Sequence, residues 1–495
     1  MGGMTVYVLG IDLGTQGARA IIVDLAGRVN AEGTCALPAD QVAAAEPGRF
    51  EQDPRQWRAA VYRAVGDAVT AFIAAGHASS EIAALSATGT SGTLCLVDDA
   101  GEPVGPAIMY SDTRAGAAAA GVQAAGAETA DKLGIGYNAS YALCKLAWLA
   151  RQAPERLEHA RWFLSPTDLV LGWLSGAWGV TDWTNALKWG YDVADLAWPA
   201  FIARDLGLDA AKLPQVQAPG SPVGRVTSAA AEATGLAAGT PVLAGSTDGT
   251  ASQLASGAVD VGDWNSTLGT TLVLKGVSKT LVRDPLGRLY CHRHPDGAWL
   301  PGAASSTGAD CLAQRFDAAD LPALNAAALE LCPTDLIVYP LVRRGERFPF
   351  LAPDAAGFCL GLGDKPACDE SATSYAAHLE GLAYVERLCY EVVAELGAAV
   401  GEAVFVAGGG THSASGLQIR ADVLGRRLIV PEVPSGAMGA AILAARGAGY
   451  ATVTAAARGM VRRARVVAPR PAMRGAYDER YGRFLAACRE RGYLP

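Results

Sequence analysis

The sequence predicts an α/β protein built from two similar domains, and three observations carry that prediction. A strand–tight turn–strand signature occurs twice, at residues 6–24 and again at 264–275. After each copy the order of elements repeats, meander first and helices afterwards. The 495-residue length is also too great for one ordinary core, so at least two domains are expected. Division near residue 256 gives an N-terminal domain over 1–256 and a C-terminal domain over 257–495.

The first element is the apolar run Val6-Tyr7-Val8-Leu9, followed by Gly10-Ile11-Asp12-Leu13-Gly14-Thr15-Gln16-Gly17 and a second apolar run, Ala20–Val23. Such a hairpin can turn backbone N–H groups and hydroxyls toward a phosphate. Asp12 at the end of the first strand then needs a cation between itself and that phosphate, and Mg²⁺ is the usual choice. The meander closes near residue 35. Asp53 caps a helix with Pro54 at its first position, running to about Ala75. Ile82–Ala87 reads as a buried strand ending in Thr88-Gly89-Thr90-Ser91-Gly92, and Thr93–Asp98 as the next.

Residues 141–233 read as mainly helical. Pro241–Ala244 is a short strand that stops at Gly245-Ser246-Thr247-Asp248-Gly249, where a helix should begin. The chain then restarts with Asn265-Ser266-Thr267-Leu268-Gly269-Thr270-Thr271 and the strand Leu272-Val273-Leu274. A long helix over 371–398 and a strand at Val404–Ala407 follow. The strand meets Gly408-Gly409-Gly410, which lays bare backbone at a helix start and lets a ligand approach closely. The small-residue helix from about Met438 to Arg446 should pack against that glycine floor. The Arg-rich tail after 455 reads as a solvated face, helical near its end.

Bulk properties narrow the function classes. Half the residues are hydrophobic and the net charge is −8, from 41 basic and 49 acidic residues, which argues against nucleic acid or an anionic membrane as partner. No basic, apolar leader opens the chain, so a cytosolic protein is expected. Ten cysteines without a Cys-x-x-Cys pair read as reduced thiols in apolar sites. Cys291-His292-Arg293-His294 alternates like a strand rather than a metal cluster.

Two phosphate hairpins in two domains point to ATP held between them. Transfer of a phosphoryl group to an alcohol also needs a carboxylate to accept the hydroxyl proton. Asp248 is the candidate base, at the end of a buried strand; its other reading is a helix N-cap.

Several stretches, taken together, resemble the FGGY carbohydrate kinases. They are Gly-Ile-Asp-Leu-Gly-Thr at 10–15, Phe-Glu-Gln-Asp-Pro at 50–54 and Ala-Ile-Met-Tyr-Ser-Asp-Thr-Arg at 107–114. Thr-Asp-Trp-Thr-Asn-Ala at 181–186, Gly-Ser-Thr-Asp-Gly at 245–249 and Ser-Thr-Leu-Gly-Thr-Thr at 266–271 continue them. Gly-Glu-Arg-Phe-Pro at 345–349, Ala-Gly-Gly-Gly at 407–410 and Gly-Ala-Met-Gly-Ala-Ala-Ile-Leu-Ala at 436–444 complete the set. The resemblance implies two ribonuclease-H-like domains of the actin and hexokinase type with a nucleotide cleft between them. It implies transfer of the ATP γ-phosphate to a small sugar with Mg²⁺, and it leaves a homodimer open.

By position, the resemblance assigns Asp12 to metal and phosphates, and Gly14 and Thr15 to the phosphate turn. Asp248 becomes the general base, and Gly269 and Thr270 the second phosphate turn. Gly409 and Gly410 would line the adenosine. Thr90, Ser91 and Gly92, with Tyr110 and Asp112, would contact the acceptor.

Gly-Thr-Ser-Gly-Thr at 89–93, Asn-Ala-Leu-Lys-Trp-Gly-Tyr at 185–191 and the stretch 339–349 look closest to D-ribulose kinases. Xylulokinases typically carry Met-His-Gly where this chain has Thr90-Ser91-Gly92. The smaller loop favours a pentulose other than xylulose. Xylulose or another ketose or polyol is the alternative acceptor, and an actin- or Hsp70-like ATPase switch is the alternative class.

Overall fold

The computed structural model describes residues 5–38, 46–361 and 369–494. They form two compact units that interleave along the chain. The first comprises 1–257, 292–298 and 435–461, and the second 258–291, 299–434 and 462–495. The first break falls beside the expected boundary, but two later segments return to the first unit, so a single cut does not separate the units.

In the first unit, strands β1 (Tyr7–Gly14), β2 (Gly17–Asp24) and β3 (Val29–Ala36) form the expected antiparallel meander. The register pairs Gly14 with Gly17, leaving Thr15 and Gln16 as a two-residue turn. β4 (Ile82–Gly89) runs parallel to β1, with Asp12 opposite Thr88. The sheet continues through β5 (Pro222–Arg225) and β6 (Pro241–Leu243) in the order β5-β6-β4-β1-β2-β3. Short β7 (Ser246–Thr247) lies beside β4, Thr247 opposite Gly89. Three parallel strands therefore reach one sheet edge together, with Asp12 and Ser246 opposite Thr88 and Thr247 opposite Gly89, the edge where α/β sheets usually bind ligands.

Helices cover both faces, which is why β1 reads as a continuous apolar run. Helix Pro54–Ala74 begins as expected, the Asp53 side chain accepting from Arg55 N. Its buried Trp57, Val61, Val65 and Phe72 form the stripe that rests on the meander. Helix Gly436–Ala445 packs on β1, not on the glycine turn at 408–410 as expected. A Cβ on Gly10 would lie 1.9 Å from Ala437 O, so only glycine permits this approach.

The second unit repeats the plan. β8 (Trp264–Leu268) and β9 (Leu272–Gly276) make the second hairpin, and β8 runs parallel to β12 (Ala403–Ala407). With β10 (Leu289–Arg293), β11 (Trp299–Ala304), β13 (Arg427–Pro431) and β14 (Arg463–Val467), the order is β10-β11-β9-β8-β12-β13-β14. Helix Ala372–Glu395 is buried along most of its length and packs beside Ala414–Leu424. The tail is more than a solvated face. β14 pairs antiparallel with β13, and the closing helix Arg474–Glu490 buries Tyr477, Tyr481 and Phe484. Among the described residues eight cysteines are free thiols, whereas Cys359 is disulfide-bonded, against the expectation of reduced thiols throughout.

Candidate functional site

The first unit gathers its chemistry at the ends of β1, β4 and β7. Burial, joined by the charge of Asp248, pushes the Asp12 carboxyl up to about 6, and Arg19 opposes the rise. A Cβ on Gly436 would lie 2.5 Å from Asp12 Oδ2, so the carboxylate sits against the start of helix Gly436–Ala445. The amides there carry partial positive charge. Asp12, Gly14, Thr15, Arg19 and Tyr110 line a cavity of about 810 Å³. The turn is fastened from behind, because Gln52 Nε2 donates to Thr15 O (2.9 Å) and Trp57 Nε1 donates to Gln52 Oε1 (2.8 Å).

Asp248 is exposed and opens helix Asp248–Ser256 at its first turn. It is not the cap. Thr247 fills that role, its hydroxyl accepting from Thr250 N. The Asp248 carboxylate instead accepts from Gly249 N (2.6 Å). Thr247 N in turn donates to Thr184 Oγ1 (3.0 Å), and Thr184 donates to the buried Asp182 carboxylate. A hydrogen-bonded chain thus holds the residue preceding Asp248.

The loop after β4 is tightly built. Thr90 Oγ1 is buried and pairs with Thr93 Oγ1 at 2.8 Å. Gly92 has φ +80°, and a Cβ there would meet Ser140 O at 2.2 Å and Lys188 Cδ at 2.8 Å. Its carbonyl accepts from Lys145 Nζ (3.0 Å), which also donates to Ala139 O (2.8 Å). Ser91 Oγ is buried with no hydrogen-bond partner among the described residues. A buried hydroxyl left so is costly unless a ligand completes it.

Asp112 departs from its expected role. Its carboxylate is buried and accepts from Phe50 N (2.8 Å), Arg114 N (3.0 Å), Arg114 Nε (2.9 Å) and Arg114 Nη2 (2.6 Å). It fastens the loop and presents no lone pair to an acceptor. Tyr110 beside it is exposed.

Two lysines of this region were not singled out from the sequence. Burial lowers the pKa of Lys188, and the charge of Asp248 opposes the fall. Burial, reinforced by Lys188, lowers that of Lys145 to about 7, against the raising influence of Asp112. A lysine inside an apolar helical run such as Leu143-Cys144-Lys145-Leu146 carries no local mark of burial, so only the fold reveals it.

The second unit holds the second turn. Gly269 N donates to Thr271 O (3.0 Å), and Gly269 O accepts from Ala309 N (2.8 Å). Thr270 is exposed at the tip. Gly409 and Gly410 begin a short 3₁₀ turn before helix Ala414–Leu424. Together with Leu268, Leu312, Asn325 and Leu379 they line an apolar cavity of about 320 Å³. The two glycines differ. A Cβ on Gly410 would meet Leu268 Cδ2 at 2.7 Å, whereas one on Gly409 would meet nothing within 4 Å. Gly410 therefore serves packing against the hairpin, and Gly409 faces open space.

No group of three or more His, Cys, Asp or Glu able to hold a metal occurs among the described residues. Cys291 lies in β10 with Sγ toward Val282 O (3.1 Å), as a strand residue should. No helix among them is long and apolar enough to cross a membrane.

An interleaved pair of meander-plus-parallel sheets with a glycine/threonine hairpin in each defines a class of duplicated α/β protein. Family models sharpen that class. The N-terminal domain of the FGGY family of carbohydrate kinases matches residues 7–255, and its C-terminal domain matches 265–448. The chain belongs to this family and is a carbohydrate kinase. It is similar to a xylulose kinase of Streptomyces coelicolor, 30% identical over 88% of this chain and 87% of that protein. A xylulose kinase of Escherichia coli K12 is 29% identical over 85% of each. Among solved structures, a xylulose kinase from Rhodospirillum rubrum superposes with TM-score 0.84 at 27% identity, covering 98% of both chains. The expected two-domain fold is thereby shown.

Proposed function

We propose that this protein is an ATP-dependent ketopentose kinase that phosphorylates the terminal hydroxyl of D-ribulose to give D-ribulose 5-phosphate. The observation that carries the reading is the exposed Asp248 carboxylate, electrostatically coupled to Asp12 at one sheet edge and beside the loop 90–92. In this mechanism the acceptor oxygen attacks the γ-phosphorus, the bond to the β–γ bridging oxygen breaks, and the hydroxyl proton passes to Asp248. Ser91, whose buried hydroxyl lacks a partner among the described residues, donates to or accepts from a sugar hydroxyl. Gly92 and Tyr110 complete the acceptor contacts, while Thr90 and Asp112 hold the loop in shape.

Asp12 fits a hard divalent cation: it is a carboxylate whose ionisation is costly by itself and is relieved by a nearby positive charge. Mg²⁺ bound there would neutralise phosphate charge. Gly14 and Thr15 of the first unit, and Gly269 and Thr270 of the second, would supply amides and hydroxyls to phosphates. The apolar cavity beside Gly409 and Gly410 suits a flat base, with adenine as the occupant. In this reading residues 1–256 carry the sugar and 257–495 the ATP, with the returning helix Gly436–Ala445 serving the sugar side through Asp12. The partners are small molecules, and a cytoplasmic location fits the ATP supply.

Xylulose is the second reading, favoured by the names of the relatives. The two are separated by measuring ADP release with Mg²⁺-ATP across D-ribulose, L-ribulose, D-xylulose, ribitol, glycerol and no sugar. Turnover strongest with D-ribulose is expected. Turnover strongest with D-xylulose would move the acceptor, and turnover indifferent to every sugar would overturn the reading for this panel.

A further inference from the structure

The stretch Gly345-Glu346-Arg347-Phe348-Pro349 has no part in the chemistry above, yet Glu346 is the most heavily hydrogen-bonded carboxylate of the second unit among the described residues. It is buried and forms no ion pair in the described structure. Its Oε2 accepts three hydroxyls: Ser305 Oγ (2.8 Å), Thr307 Oγ1 (2.9 Å) and Tyr339 OH (2.9 Å). Its Oε1 accepts the backbone N–H groups of Ser306 (2.6 Å) and Arg347 (2.9 Å). The backbone of Glu346 is itself fixed, exchanging hydrogen bonds with Ala352.

Two of these side-chain donors and one backbone donor come from a single tripeptide, Ser305-Ser306-Thr307, and that tripeptide clamps the second hairpin. Ser305 N donates to Leu272 O (2.9 Å), and Leu272 N donates to Thr307 O (2.9 Å). Ala309 N donates to Gly269 O (2.8 Å). At Gly308 a Cβ would lie 2.1 Å from Thr270 O, so the loop presses directly on the tip of the turn. A buried carboxylate surrounded only by donors makes charge-assisted hydrogen bonds, which are shorter and stronger than neutral ones.

We infer that Glu346 is a positioning residue for the phosphate-holding turn Gly269–Thr270, acting through Ser305–Thr307. The inference rests on the nucleotide reading given under Proposed function. Glu346 touches neither sugar nor nucleotide in this scheme. It fixes the direction in which the amides and hydroxyl of the turn point, and so sets affinity for phosphates rather than for the base. Glu346→Gln keeps the shape but replaces one acceptor oxygen by an NH₂ group that must face existing donors.

The test is calorimetric titration of ADP and of adenosine into the full-length wild type, Glu346→Gln, Thr307→Val and Thr307→Ser. Glu346→Gln should weaken ADP about tenfold or more while adenosine changes by less than about twofold. Thr307→Val should act in the same direction but less, and Thr307→Ser, which restores the hydroxyl, should return to wild-type behaviour. If Glu346→Gln does not fold, the Thr307 pair decides alone. Unchanged ADP affinity, or equal loss of ADP and adenosine, would overturn the positioning role. Wild type that binds neither molecule would instead overturn the nucleotide reading on which it depends.

Discussion

The two hairpins share a glycine–threonine turn, yet differ in loop length, two residues (Thr15 and Gln16) in the first and three (Gly269 to Thr271) in the second, and in their surroundings. In the first, Asp12-Leu13-Gly14-Thr15 puts a carboxylate three residues before the turn, and the strand register sets it level with Ser246, two residues before Asp248. In the second, Thr267-Leu268-Gly269-Thr270 has a neutral hydroxyl at the matching position. Support differs too. One side chain, Gln52, fastens the first turn, whereas a whole loop tied to Glu346 clamps the second. In the proposed scheme that contrast divides the labour of the duplicated element: the first turn manages charge, and the second would hold phosphates in a fixed direction.

The sharpest way to break this comparison lies on the charged side. Asp248→Asn should lower kcat about 10²- to 10⁴-fold in an acceptor-dependent assay with little change in unfolding midpoint, since the carboxylate is exposed and Thr247 does the capping. A loss confined to KM would contradict its role as base.

Next in size is the pH response of Asp12. Activity should fall as pH drops through about 6, because the protonated carboxyl no longer attracts a cation. Asp12→Asn should abolish that limb. Stability runs the other way. The folded pKa lies above the unfolded value, so the native state holds the extra proton between about 4 and 6 and loses stability as pH rises through that window. At neutral pH Asp12→Asn should therefore be more stable than wild type, by up to about 3 kcal/mol on urea titration.

Lys145 gives a third, intermediate effect. Its folded pKa of about 7 lies below the unfolded value, so stability should rise with pH between about 7 and 10.5. Lys145→Met should flatten that slope and raise the acceptor KM, because Gly92 O and Ala139 O lose their shared donor. Urea titrations at several pH values and initial-rate kinetics check both. The smallest change is Gln52→Ala, expected to cost about 1–3 kcal/mol by releasing Thr15 O and leaving Trp57 Nε1 without its acceptor, visible as faster hydrogen exchange at the first turn.

Much of the frame was legible from local chemistry. Asp53-Pro54 marked its helix start, and the two glycine/threonine turns stood between apolar runs that could only be strands. What stayed hidden depended on distance along the chain. Helix Gly436–Ala445 is buried on every side, so it has no polar face to say which neighbour it meets, and its return to the first unit was invisible. β14 escaped because Arg463 and Arg465 are exposed at a sheet edge, and charge there reads as a solvated segment. Asp112 looked like an acceptor ligand until the four donors on its carboxylate showed it occupied. Glu346 belonged to a recognised motif, but its donors Ser305, Ser306 and Thr307 lie about 40 residues upstream, beyond any spacing rule.

The comparison of the hairpins is tested most directly by ADP release with D-ribulose, measured for wild type, Asp12→Asn and Thr270→Ala as MgATP and pH are varied. The account predicts that Asp12→Asn lowers kcat and erases the acid limb near pH 6. Thr270→Ala should raise the KM for ATP about five- to tenfold and leave that limb in place. Matching effects of the two substitutions on kcat, KM and pH profile would contradict the division of labour.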